Sequence, residues 1–394
     1  MADIKQANIL NYPVLALGFR AFFMLAGFSA VLLILLWNAV YKGALTLPNY
    51  FAPSDWHGHE MLVGYASAVI AGFLLTAVRN WTGLPTATGK QLAALCLLWL
   101  YGRILPFYAG LLPDMLIALV DFAFLPALAY QIGKPVIKSR NLRSTVFLLL
   151  LALMAFANAL IHLEMLGFLA DSAQLGLQLL IATIITLILL VAGRVFPFFT
   201  ERGLSGTLAI RNPFWDALSI TSAVLVFVLL MAKISGIYLV VVAVFAALAN
   251  TRRILDWYVQ KVWYVPLLWI LYIGYGWIIL GFVLTALAAY NLIPLSLALH
   301  AFTLGGIGVL TLGMMARVSL GHTGRALKAS NAIAIAFVLI NVSAFFRVLL
   351  PAAFPAGYGP LLYIATLCWL AAFSLFLFVY APILTRTRAD GRPD

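Results

Sequence analysis

The sequence predicts an all-α polytopic membrane protein with about twelve transmembrane helices, organised as one transmembrane domain over residues 1–394. Three observations lead to this fold class. Hydrophobic residues make up 65% of the chain and charged residues only 9%, whereas soluble domains carry about 45–50% and about 25%. The mean hydropathy is +1.07. The apolar residues also fall into windows of about 20 residues, the length of a helix that crosses a bilayer.

These windows give the helices in chain order, separated by short loops. The first window is longer than the apolar region of a signal peptide, and no small-residue cleavage site follows it. We therefore expect it to be the first transmembrane helix. The twelve predicted helices cover residues 14–40, 57–79, 90–108, 111–133, 142–162, 174–197, 213–232, 235–251, 262–289, 293–317, 330–350 and 359–383.

The basic residues predict the orientation of these helices. The net charge is +12. Nineteen Lys and Arg residues fall on the side of both termini, including Lys5 and the basic tail 384–394, while the opposite loops hold only Lys42, Lys233 and Arg347. Cytoplasmic loops of membrane proteins carry this excess. Both termini are therefore predicted to be cytoplasmic, and the basic charge requires no nucleic-acid partner.

Four of the five histidines share one predicted depth near the outer face. His57 and His59 start helix 2, His162 ends helix 5, and His300 lies roughly 10 Å below the outer surface in helix 10. Only His322 is on the cytoplasmic side. A single histidine near a helix end is usually interfacial, but intramembrane ionisable residues are costly and tend to be functional. The four together favour a haem or metal site. No CxxCH motif is present, which excludes covalent c-type haem.

The segment DWHGHEML, residues 55–62, concentrates possible ligands. Residues two apart on a helix point about 200° apart, so His57 and His59 serve two sites, or one of them is a bystander. The face below His57 is a ridge of small residues that either packs against a helix or admits a flat macrocycle: Gly64, Ala68 and Gly72. Gly306 and Gly313 in helix 10 are instead expected to seat a neighbouring helix.

Other helices add possible partners near the same depth. Helix 5 places Asn158 and His162 on one face with Glu164 nearby, and imidazole with carboxylate suits copper or iron. Arg103 and Arg347 lie near the outer ends of helices 3 and 11. A guanidinium binds a carboxylate bidentately, so both arginines are candidates to contact haem propionates.

A weak internal repeat is also visible. Arg79, Arg194 and Arg317 each follow a helix and are 115 and 123 residues apart, about four helices each time. The spacing suggests three units of four helices.

Four long motifs resemble the NnrS family: LGFRAFF at 17–23, HGHEMLVGYASAVIAGFLLTAVRNWTG at 57–83, GRVFPFFT at 193–200, and HAFTLGGIGVLTLGMMARVSLGHTGR at 300–325. That family consists of bacterial inner-membrane proteins linked to nitric oxide metabolism and nitrosative stress. The resemblance implies haem b and copper as cofactors.

The architecture also resembles, more distantly, the superfamily of haem–copper oxidases and nitric oxide reductases. That resemblance implies His57 and His300 as axial haem ligands, with Arg347 and Arg103 near the propionates. Helices 6 and 7 contain no histidine, so the usual binuclear site cannot be assembled. The ligands available for a second metal are then His59, Glu60, His162 and Glu164.

The leading hypothesis is a haem b and copper metalloprotein that binds or turns over nitric oxide, with electrons from quinol or another donor. The alternative is a secondary transporter or channel for a small solute, whose path would include Arg20, Asp121 and the broken segment GRVFPFF. A third possibility is a membrane sensor or assembly factor that binds metal transiently. For His322, a further site and a loop lock are both open.

Overall fold

The computed structural model describes residues 12–45 and 49–392. Within these ranges it has no β-strand and twelve helices long and apolar enough to cross a membrane, which confirms the predicted fold class. We number them α1–α12 in chain order: Gly18–Tyr41, Pro53–Thr82, Gly89–Tyr108, Asp114–Lys138, Leu142–Met165, Ser172–Gly203, Pro213–Met231, Ile237–Leu255, Pro266–Ala288, Leu295–His322, Asn331–Ala353 and Pro355–Thr385. Lys5, predicted to be cytoplasmic, lies outside the described residues.

Proline sets where several helices begin, because it lacks an N–H and its fixed φ suits the first helical turn. Pro53, Pro213 and Pro266 occupy the first turns of α2, α7 and α9. Helix α2 therefore begins before its predicted start at residue 57. Both His57 and His59 lie in helical backbone.

Three helices contain a wider π turn. Such turns are rare and often occur at functional sites. They are Glu60–Ala66 in α2, Ala301–Gly308 in α10 and Phe345–Leu349 in α11. His59 and His300 each immediately precede one of these turns, and Arg347 lies within the third. The sequence pattern gave no indication of them.

The described residues form two compact units. The first contains the described residues of Met1–Leu177, Val318–Ala326 and Phe376–Asp394, and the second contains Gln178–Arg317 and Leu327–Leu375. In the first unit α1 packs along α2, and α4 packs against α2, α3 and α5. In the second unit α8 packs against α7 and α9, and α9 packs against α10.

Close packing accounts for part of the small-residue ridge on α2. A Cβ added at Gly72 would lie 2.8 Å from the ring of Phe23 on α1. At Gly64 it would lie 3.1 Å from the guanidinium of Arg103. Protein side chains therefore occupy the space beside both glycines.

Arg20 is a fully buried structural residue of α1. Its Nη1 donates to the backbone carbonyls of Leu384, at 3.1 Å, and Arg386, at 2.7 Å. The last carbonyls of a helix have no intrahelical partner. Arg20 thus satisfies carbonyl groups at the end of α12.

The C-terminal tail binds the loop that follows α10. Arg388 donates to the backbone carbonyl of His322 at 2.9 Å, and the N–H of Ala389 donates to that of Thr323 at 2.9 Å. Arg388 also donates to the Asp390 carboxylate and lowers its pKa to about 2. The His322 ring contacts that of Phe19, with centroids 5.6 Å apart. These contacts support the loop-lock interpretation of His322.

In the second unit, glycines of α9 and α10 allow close helix contact. A Cβ at Gly306 would lie 2.8 Å from Ile278, and one at Gly313 would lie 2.8 Å from Ile270. Both contacts are with α9. The expectation that these two glycines seat a neighbouring helix is confirmed.

Helix α9 offers a matched pair of glycines that tests this packing. A Cβ at Gly274 would lie 2.6 Å from the Leu310 side chain, whereas one at Gly276 would meet no atom within 4 Å. We expect Gly274→Ala to lower the free energy of unfolding by about 1–3 kcal/mol through overpacking. Gly276→Ala should cause no loss, since alanine favours helix over glycine. Thermal unfolding of the purified variants measures both, and equal effects would contradict the packing account.

Candidate metal centre

A polar cluster lies within the first unit, where α2, α4 and α5 meet. It consists of His59 on α2, Asp121 on α4, and Asn158 and His162 on α5. All four side chains are buried, and the most accessible of them, His162, is 4% exposed. Polar groups placed this deeply must satisfy one another or bind a ligand.

Two imidazoles of the cluster point at one carboxylate oxygen. The Nε2 atoms of His59 and His162 lie 3.1 and 2.8 Å from Oδ2 of Asp121. Asn158 donates to the same oxygen through Nδ2 at 2.9 Å, and its Oδ1 lies 3.0 Å from His59 Nε2. Four potential ligand side chains thus converge on one point.

The outer nitrogens of both rings have their own partners. His59 Nδ1 lies 3.2 Å from Oε1 of Glu60, and His162 Nδ1 lies 3.4 Å from the hydroxyl of Tyr50. If each Nδ1–H donates outward, each Nε2 presents a lone pair toward the Asp121 carboxylate. Two lone pairs facing a carboxylate oxygen repel it, so a proton or a metal ion must lie between them. A metal-binding histidine commonly has its other nitrogen held in this way.

Arg103 on α3 is the cation of the cluster. Its guanidinium forms ion pairs with Oδ1 of Asp121 and, at 3.3 Å, with Oε1 of Glu60. The Asp121 oxygen that faces the histidines is not the one that binds Arg103. Gly64 leaves room for the guanidinium, and its carbonyl accepts a hydrogen bond from Trp99 Nε1 at 3.0 Å.

Two aromatic residues before α2 cover the cluster. The Phe51 ring stacks on that of His59 with centroids 4.4 Å apart. The Tyr50 N–H donates to the carbonyl of Pro106 at 2.9 Å, which fixes this segment against the end of α3. Burial, and secondarily the negative charge of Asp114, raise the pKa of Tyr50. Tyr50 therefore remains a neutral hydroxyl that can accept a hydrogen bond from His162.

The donor set fits a first-row transition metal. One ligand atom from each of His59, Asp121 and His162 lies within 4.8 Å of the others. Metal–ligand bonds of about 2.0–2.1 Å in a tetrahedron separate neighbouring ligands by about 3.3 Å. The two Nε2–Oδ2 distances, 3.1 and 2.8 Å, are close to this separation. Two imidazoles and a carboxylate suit iron, copper or zinc, whereas magnesium and calcium prefer sites made of oxygen ligands.

A family model described as NnrS protein matches residues 13–388, nearly the whole chain. The chain belongs to the NnrS family. Membership confirms the resemblance drawn from the four motifs, two of which contain histidines of predicted sites. No curated protein gave a match. Among the described residues, one group of His, Cys, Asp and Glu side chains could hold a metal ion. It consists of His59, Asp121 and His162.

The structure brings together three of the four predicted second-metal ligands. His59 and His162 supply converging nitrogens, and Glu60 contacts the outer nitrogen of His59. Glu164 has a different partner. Its Oε2 accepts a hydrogen bond from the N–H of Ala173 at 2.6 Å. That bond satisfies a free donor at the start of α6.

The residues predicted to bind haem each have local partners within their own compact unit. The His57 ring stacks on that of Trp37 with centroids 4.4 Å apart, so His57 and His59 contact different residues, as their helical spacing predicts. His300 Nδ1 lies 2.7 Å from the Ser296 carbonyl, and its Nε2 lies 3.1 Å from Nη2 of Arg347. Arg103, the other predicted propionate partner, is paired with carboxylates of the polar cluster.

Sequence reasoning missed Asp121 as a candidate metal ligand and considered it only for a transport path. A signal was available, because Asp121 is a carboxylate in the middle of an apolar span, a costly position. Tyr50 and Phe51 were also missed. They lie in a loop, where no helical periodicity indicates what their side chains face.

Proposed function

We propose that this NnrS family member is a metalloprotein of the nitric oxide response in which His59, Asp121 and His162 hold a copper or iron ion. The convergence of two imidazole nitrogens on one buried carboxylate oxygen carries this proposal. A redox metal would supply the orbital that binds nitric oxide, while the protein sets ligands and polarity. Kinetic measurements on the purified protein distinguish turnover of nitric oxide from binding alone. For turnover, electrons would come from quinol or another donor in the bacterial inner membrane.

The residues around the cluster have definable roles in this proposal. Glu60 and Tyr50 hold the two imidazoles with Nε2 directed inward, which reduces the freedom lost when a metal binds. Phe51 excludes water from the site. Nitric oxide is small and uncharged, so it can enter through lipid and apolar side chains.

A haem b with His57 and His300 as axial ligands remains part of the proposal. The Ser296 carbonyl at His300 Nδ1 supports it, because that bond leaves a lone pair on Nε2, the nitrogen that would ligate iron. Arg347 Nη2 donates to this lone pair, so Arg347 would have to release Nε2 before iron binds and would then be a cation for a propionate. The NnrS resemblance supplies the identity of the cofactor.

The transporter alternative has less support in the observed contacts. Arg20, predicted to line a path, binds carbonyl groups at the end of α12. Asp121 belongs to the polar cluster. The segment GRVFPFF, predicted to be broken, lies within the continuous helix α6, where Phe196 packs against the rings of Trp257 and Tyr275. The polar residues that suggested a path thus have partners of their own, and a colourless, metal-free protein would restore that alternative.

One titration separates the two proposed centres. Purified protein, reduced and then exposed to nitric oxide, is followed by its absorption and electron paramagnetic resonance spectra beside three histidine variants. We expect His162→Ala to lose the nitric oxide signal of the metal site while keeping the haem spectrum. His300→Ala should lose the b-type haem spectrum while keeping the metal-site signal.

The matched control is His322→Ala. The His322 ring contacts that of Phe19, and its backbone carbonyl accepts a hydrogen bond from Arg388, so this change should leave both signals intact. Loss of both signals in all three variants would indicate general misfolding. A wild-type protein that shows neither signal would contradict the proposed function.

A further inference from the structure

The charges of the polar cluster define a preference for one class of ligand. Three described side chains form its ion pairs: the Arg103 guanidinium and the Glu60 and Asp121 carboxylates. With both carboxylates ionised and both histidines neutral, the guanidinium offsets one carboxylate and the cluster carries one net negative charge. All three side chains are buried, and Arg103, the most exposed, is 8% accessible.

A divalent metal ion held by neutral imidazoles reverses this charge. The loaded cluster would then carry one net positive charge inside a membrane-spanning helical unit. A net charge in such surroundings is costly because water cannot solvate it. A small monoanion bound to the metal would bring the cluster to neutrality.

We infer that the divalent metal ion at this site takes a small monoanion, of the hydroxide, nitrite or azide class, as its exchangeable ligand. This inference rests on the proposed metal site and adds a ligand class that the family resemblance does not supply. The protein supplies three metal ligands, His59, Asp121 and His162, which leaves at least one position open.

The hydrogen bonds of Glu60 and Arg103 leave the cluster incompletely satisfied. Oε1 of Glu60 contacts His59 and Arg103, while its buried Oε2 has no hydrogen-bond partner. Nε and Nη1 of Arg103 are also buried without a hydrogen-bond partner. Buried polar atoms left in this way cost free energy. Direct binding of Glu60 to the metal would leave the total charge unchanged.

Nearby carboxylates outside the cluster have less influence. Asp55 and Glu164 are both partly exposed. Water and salt screen exposed charges far more than buried ones. The balance at the metal is therefore set mainly by Glu60, Asp121 and Arg103.

The test is an azide titration of Co²⁺-loaded full-length protein in lipid nanodiscs, followed by the visible spectrum of the metal. Glu60→Gln removes one negative charge with little change of shape, and we expect it to tighten azide binding at least about tenfold. Arg103→Gln should weaken azide binding by a similar factor. Arg103→Lys keeps the charge, and its azide affinity should stay within about threefold of wild type.

Nitric oxide is the neutral control ligand for the same Co²⁺-loaded variants. Because it carries no charge, its affinity should change much less than that of azide. If Arg103→Gln does not fold, the expected rise in Glu60→Gln still decides the outcome. If the wild-type site is too small for azide, Phe51→Ala removes the ring that covers His59. The same order of azide affinities among the charge variants must then appear in the Phe51→Ala protein.

The outcomes separate this inference from the proposed function. If Co²⁺ binds through His59 and His162 but the azide affinity does not change with the charge at residues 60 and 103, the inference is wrong and the metal site stands. Equal shifts for azide and nitric oxide would also overturn it, because they would indicate altered geometry. If the wild-type protein binds no Co²⁺, both the site and the inference fail.

Discussion

His59→Ala and His162→Ala are each expected to retain less than about a tenth of the non-haem metal bound by wild-type protein. Each change removes one of the two imidazole nitrogens that converge on Asp121. Loss of a partner that only orients a ligand typically lowers metal affinity about 10–100-fold, and loss of the ligand itself should exceed that. Metal analysis of purified protein by mass spectrometry measures the effect.

Glu164→Gln is the matched control for this experiment. Glu164 was predicted as a ligand, yet its carboxylate binds the N–H of Ala173 at the start of α6. We expect Glu164→Gln to keep its metal. The reverse pattern, with metal lost in Glu164→Gln and kept in His162→Ala, would show that the ligand set is wrong.

Asp121→Ala is expected to lower the free energy of unfolding by about 3–5 kcal/mol even without metal. The Asp121 carboxylate offsets the buried Arg103 charge and accepts hydrogen bonds from the cluster. Its removal leaves a guanidinium that cannot deprotonate, with only Glu60 as its counter-ion. Unfolding of the metal-free protein in a fixed detergent mixture measures the loss.

Two further variants identify the cause of that loss. Asp114→Ala changes the same residue type on the same helix at an exposed position, where we expect a loss of about 1 kcal/mol or less. Combining Asp121→Ala with Arg103→Met should cost less than the sum of the two single losses, because the Asp121–Arg103 ion pair is lost in both single variants. Strictly additive losses would show that the two residues do not act as a charge pair.

Hydropathy predicted the twelve helices because lipid imposes one dominant requirement on every span, and the same requirement made buried histidines conspicuous. His59 and His162 were therefore recognised as candidates from depth and chemistry alone. Asp121 was not grouped with them, since a single sequence does not tell which face of α4 meets α2 and α5. Helix α2 also illustrates the limit of ideal geometry, because its π turn begins at Glu60, immediately after the candidate ligand His59.

The haem assignment depends differently on sequence. The distant resemblance to haem–copper oxidases and nitric oxide reductases indicated His57 and His300 as axial ligands. The motifs of the NnrS family, which the match over residues 13–388 confirms, implied haem b as a cofactor. The structure adds the local partners of each histidine, Trp37 for one and Ser296 with Arg347 for the other. The haem itself remains a prediction for the absorption spectrum to test.

The most direct test of the central claim is X-ray absorption at the K edge of the metal in purified wild-type protein. We predict an iron or copper ion with two imidazole ligands and at least one oxygen ligand in addition to any haem iron, and the loss of this non-haem signal in His162→Ala. A protein whose only metal is haem iron, or whose non-haem metal shows no imidazole scattering, would contradict the proposed centre at His59, Asp121 and His162.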